Sequence, residues 1–71
     1  MPQSTYKVIE VIGTSPKSWD EAAKNAVERV AESVRDLRVA EVLAQDLVIT
    51  EGKVEAYRTK IKVSFKYEGQ H

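Results

Sequence analysis

Apolar side chains recur with two different periods along this chain, and the change of period marks its elements. Residues 6–12, "YKVIEVI", are β-branched and apolar up to Gly13 and predict a strand. From Trp19 the period becomes helical. Trp19, Ala22, Ala23, Ala26, Val27, Val30, Val34 and Leu37 recur at steps of three and four, while Lys24, Glu28, Arg29, Glu32 and Arg35 fill the other side. "SWDE" opens this helix as a capping box, with Ser18 accepting from the Glu21 amide and Glu21 reaching back to Ser18. Residues 39–50, "VAEVLAQDLVIT", predict a second strand, Glu51-Gly52 a turn, and residues 53–67 a third strand. In the third strand, Tyr57, Thr59, Ile61, Val63, Phe65 and Tyr67 alternate with Arg58, Lys60, Lys62, Ser64 and Lys66.

The order is β-α-β-β, an α+β fold with a three-stranded antiparallel sheet packed on one helix. A helix of about 18 residues returns the chain along the sheet, so the first two strands run the same way and the third fits between them. With a two-residue hairpin loop, Thr50 faces Lys53, Glu41 faces Lys62 and Gln45 faces Arg58. One helix covers one face only, yet the flanking strands are apolar on both. Val8 and Ile12 oppose Ile9 and Val11. Val39, Leu43, Leu47 and Ile49 oppose Ala40, Val42, Ala44 and Val48. Strands apolar on both faces are usually covered on both, and nothing in the chain remains to cover the second. The expectation is self-association.

Composition narrows the chemistry. Seventy-one residues form a single domain over 1–71, with an ordered core expected at about 5–68. With no cysteine, disulfides, zinc-thiolate sites and thiol nucleophiles are excluded. The one histidine is the last residue, His71, and the serines have no neighbouring base, so a nucleophilic triad lacks its parts and the chain reads as a non-enzyme. Eleven basic residues against eleven acidic ones argue against nucleic acid or an anionic membrane surface as partner. No apolar run approaches a membrane span and "MPQSTYK" lacks a signal-peptide core, which predicts a soluble cytoplasmic protein.

Four features of the sequence are candidates for ligand contact. "GTSPKSW" has one glycine, and a proline that removes an amide donor, so it reads as a turn into the Ser18 cap and not as a phosphate cradle. The stripe Arg58, Lys60, Lys62 and Lys66 has Glu10, Glu41 and Glu55 as cross-strand partners, and reads as ion-paired sheet surface in preference to a nucleic-acid site. Trp19, in the first helical turn, packs across the helix–sheet junction or stacks on a ligand. Asp46 is the unusual one, because aspartate is depleted in strands. It is either a solvated rim or bulge residue, or a carboxylate multiplied by symmetry into an oxygen cluster for calcium.

The run "YKVIEVIGTSPKSWDEAAKNAVERV", the stretch "DLRVAEV" and the closing "KVSFKYE" resemble the dodecins over nearly the whole chain. The resemblance implies a hollow homododecamer of cubic symmetry whose flavin-binding members store or sequester flavins. Those members carry a tryptophan in the second strand that stacks on the flavin ring, and a glutamine in the third strand that hydrogen-bonds it. The matching positions here are Val39 and Arg58. Valine has no aromatic face, and arginine donates but cannot accept. The segments "TSPKSWDEAA", "RVAEVLAQD" and "KVSFK" look like the calcium dodecins, which lack that tryptophan. The expectation is therefore a small-ligand or ion-binding shell, with calcium ahead of flavin and Asp46 as the metal-ligating residue. A flavin-storing shell and an assembly with no specific ligand are the alternatives.

Overall fold

The computed structural model describes residues 5–66 as β1 (Tyr6–Ser15), α1 (Trp19–Ala31), β2 (Leu37–Thr50) and β3 (Lys53–Lys66). Tyr67 and His71 lie outside the described residues. The sheet order is β1-β3-β2, with β3 antiparallel to both neighbours, so β1 and β2 run the same way around it as expected.

Two element boundaries differ from the sequence reading. Gly13 does not end β1, which continues through Thr14 and Ser15 opposite Arg58 and Tyr57. The glycine serves a close approach. A Cβ at residue 13 would stand 2.1 Å from the Ala22 carbonyl oxygen and 2.8 Å from the Ala26 Cβ, so α1 crosses β1 where no side chain intervenes. The turn lies beyond it, where the buried Ser15 Oγ accepts from the amides of Lys17 (2.9 Å) and Ser18 (3.5 Å). Helix α1 stops at Ala31, two turns short of the expectation that ran it to Leu37. Asp36 at φ 62° reverses the chain, and Leu37 already pairs with Phe65 in β2. Apolar spacing continued past the helix because Leu37 packs on the same core from a strand.

At its start α1 matches half of the capping box. Ser18 Oγ accepts from the Glu21 amide at 3.0 Å, while the Ser18 amide is taken by Ser15 in place of Glu21. Ala22 and Ala26 press against β1 and β3 over Ile61 and Val63, with Ile9, Val11, Val27, Val30 and Leu37 packed around them. Thr59, fully buried, donates to the Trp19 carbonyl at 2.9 Å. The helix is too short to cross a membrane, and none among the described residues is long and apolar enough.

The β2–β3 hairpin turns at Glu51 (φ 52°) and Gly52 (φ 77°), both left-handed as a two-residue hairpin turn of this kind requires. Thr50 faces Lys53 and Glu41 faces Lys62 as expected. Between them the register slips. It shifts at Val48/Ile49, where Glu55 is the extra residue of β3, and again at Val42/Ala44, where Leu43 is the extra residue of β2. In the intervening block Asp46, not Gln45, faces Arg58. A further shift lies at Leu37/Val39. The same slips correct the expected faces of β2. Val39 lies opposite Ser64 and Leu47 opposite Tyr57, on different sides of the sheet.

The helix rests on β1 and β3, and β2 is left largely uncovered. Nine large apolar residues are exposed among the described residues, Val39 at 61% and Ile49 at 63% being the most open. The chain extends 55 Å along its long axis, with a radius of gyration of 14.8 Å. A compact chain of this length would have a radius of about 11 Å.

Candidate functional site

The sheet face away from α1 carries the charged residues of β3 between two flanks of mixed character. On the β1 side, Val8 and Ile12 bracket Glu10, whose Oε1 lies 3.7 Å from the Lys60 ammonium. On the β2 side, Asp46 stands directly opposite Arg58 and binds it through both forks. Arg58 Nε donates to Oδ1 and Nη2 to Oδ2, each at 2.7 Å. This is the planar two-point geometry that a lysine cannot make. Both side chains remain partly open to solvent, Arg58 at 40% and Asp46 at 53%.

Three local features put Asp46 there. The slip at Glu55 moves the carboxylate one step along β3 to meet Arg58. The Asp46 carbonyl accepts the Trp19 indole N–H at 3.0 Å, which ties the start of α1 to strand β2. The Trp19 ring in turn meets Tyr57 edge-on, centroids 5.2 Å apart. Trp19 therefore packs across the helix–sheet junction, as its place in the first turn suggested, and Tyr57 is the partner that sequence reasoning did not single out. Electrostatics follow the geometry. Hydrogen bonding from Arg58 holds the Asp46 carboxyl below its ordinary value, lost hydration opposes this, and the Arg58 charge adds to it. The same bonds hold Arg58 more firmly protonated.

Val39 is distant from this pair. It faces Ser64, six residues along β3 from Arg58 and so about 20 Å away. It lines a shallow concavity of about 200 Å³ with Val27, Leu37, Arg38, Ala40 and Val63. Of the three sequence-predicted site residues, the fold brings together Asp46 and Arg58 and leaves Val39 apart. Among the described residues no three His, Asp or Glu side chains cluster to hold a metal. The Gly-Thr-Ser-Pro stretch offers no cradle either, since the Lys17 and Ser18 amides are spent on Ser15.

A family model described as Dodecin matches residues 5–68. Calcium dodecin from Mycobacterium tuberculosis is 52% identical over 63 residues, which cover 89% of this chain and 89% of that one. Dodecin from Streptomyces coelicolor has a solved structure that superposes with a TM-score of 0.92 at 37% identity, covering 99% of this chain and 100% of that chain. A crystal structure of the calcium-chelating immunodominant antigen calcium dodecin from M. tuberculosis, with a novel calcium-binding site, superposes with a TM-score of 0.83 at 51% identity, covering 96% and 97%.

Proposed function

This chain belongs to the dodecin family, and from that premise we propose that it works without catalysis, as a hollow homododecamer that binds or stores a small ligand or ion, with calcium ahead of flavin. The observation that carries this reading is the uncovered sheet. Val8, Ile12 and Val39 are exposed on the face away from the helix, and Val42 and Leu47 on β2 beside it. A domain this small buries too little to leave such surface in water, and identical copies supply the cover.

Calcium is preferred to flavin on the chemistry of three residues. Val39 lacks a π-face for a flavin ring. Arg58 has no acceptor and spends its fork on Asp46. Asp46 offers the hard oxygen donors that calcium selects, and a relative at 52% identity bears the name calcium dodecin. One chain alone does not fit the ion. Calcium takes about 6–8 oxygens, whereas a single Asp46 brings two that already hold a guanidinium. The proposed site therefore gathers Asp46 from several copies around a symmetry axis.

Light scattering tests the assembly, with an expected mass about twelve times 8.0 kDa. Calorimetric titration with calcium tests the ligand, with binding expected in the parent chain and lost in Asp46→Asn. A monomer persisting at micromolar concentration overturns the shell. Calcium binding indifferent to Asp46→Asn overturns the site. Quenching of added flavin fluorescence would transfer the reading to flavin storage, and an oligomer that binds neither would leave a structural assembly.

A further inference from the structure

The β2–β3 hairpin outruns the rest of the sheet. Strand β1 pairs with β3 only as far as Ser15 opposite Tyr57, so residues 48–50 and 53–56 continue as two strands with no third beside them. A two-stranded hairpin is marginally stable in water, and this one carries apolar side chains at its tip. Ile49 and Val54 face each other across it, 63% and 49% exposed. Towards the other end of β3 lies the hollow of about 200 Å³ lined by Val27, Leu37, Val39 and Val63. We infer that the Ile49–Val54 tip of one copy seats in the Val39 hollow of a neighbouring copy. The inference rests on the homododecamer reading and names a contact that holds the shell together.

Exposure, size, charge and distance all fit the tip to the hollow. Ile49 and Val39 are the two most exposed large apolar residues among those described, and one stands at each surface. A cavity of about 150 Å³ takes a benzene-sized group. The hollow has room for somewhat more, which two facing aliphatic side chains supply. Arg38 is the one charged residue lining the hollow, whereas Glu51 and Glu55 outweigh Lys53 at the tip, so the two surfaces attract. Val39 faces Ser64, ten residues along β3 from Val54 and so about 33 Å away. A tip cannot reach the hollow of its own chain. Every copy therefore carries both halves of a complementary contact, and the contact is made between copies.

The chain has no cysteine, so introduced thiols report this contact alone. The assembled double variant Val39→Cys/Ile49→Cys, treated with a short bismaleimide, should give covalently linked copies on a denaturing gel. Neither single variant should. Ile49→Asp should keep the parent circular dichroism, because the side chain is exposed, and should lower the light-scattering mass by about twofold or more. A parent-like mass in Ile49→Asp, or an assembled double variant without links, overturns the inference and spares the shell, leaving the hollow to another occupant. Links in a single variant would show tip against tip or hollow against hollow, and overturn it too. Ile49→Asp decides alone if the double variant does not assemble. A monomeric parent chain overturns both this contact and the shell.

Discussion

Gly13→Ala isolates the contact on which the helix depends. The added Cβ would lie 2.1 Å from the Ala22 carbonyl oxygen, and real Cβ atoms essentially never come within 3.0 Å of another group. Helix α1 must therefore retreat by about 0.9 Å at this point. The obstructing atom is backbone, so no rotamer change relieves it. Overpacking costs about 1–3 kcal/mol, and a rigid backbone clash belongs at the upper end. Alanine recovers about 0.5–1 kcal/mol over glycine within a strand. The net expectation is a loss of about 2 kcal/mol, or about 8–16 °C in melting temperature for a domain of this size. Trp19 fluorescence reads the melt, at fixed protein concentration because assembly shifts the midpoint. Gly52→Ala is the internal comparison. No atom lies within 4 Å of its Cβ position, and its φ of 77° costs the new side chain about 1–2 kcal/mol for conformation alone. If Gly13→Ala melts at the parent temperature, the close approach of α1 to β1 is refuted.

Two further outcomes follow from the hairpin and the ion pair. Glu51 sits at φ 52° without being glycine or asparagine. Glu51→Asn should stabilise the fold by about 0.5–1 kcal/mol, read as a higher urea midpoint with an unchanged slope, since asparagine is the usual partner of glycine in this turn. The Asp46 carboxyl is held below its unfolded value of 3.8, so its contribution is complete above that value and is lost as the pH falls below it. The acid limb of the stability curve should flatten in Asp46→Asn and weaken at high salt, because the pair is half open to solvent. An acid limb identical in the parent and in Asp46→Asn would count against the pairing.

The hairpin turn and its first pair, Thr50–Lys53, were legible because they depend on neighbours in sequence, whereas Glu41–Lys62 matched only because the slips at Glu55 and Leu43 cancel. Alternation in β3, the Ser18 cap and Glu51-Gly52 are local signals. Local signals missed what distant backbone decides. Gly13 was read as a stop because a glycine after an apolar run has that meaning within a strand, and only the crossing helix gives it another. Leu37 kept helical spacing while belonging to β2. The Asp46–Arg58 pair escaped because a two-residue loop counts one step wrong once Glu55 is inserted. A signal was present. An aspartate, rare within a strand, and an arginine sit one register step apart across a hairpin. The non-enzyme reading and the domain extent rest on composition, and no contact within the described fold bears on them.

The slips in β2 also bear on growth of the sheet. This strand is a free border fourteen residues long and rich in valine and leucine, the kind of margin on which foreign strands stack into fibrils. Its ladder, however, skips a residue at Leu37/Val39 and again at Val42/Ala44. A newcomer laid along it finds donors and acceptors out of phase twice within eight residues and cannot zip past either break. The border is greasy enough to be buried by side chains, yet too irregular to be copied by backbone, which favours closed particles over open filaments.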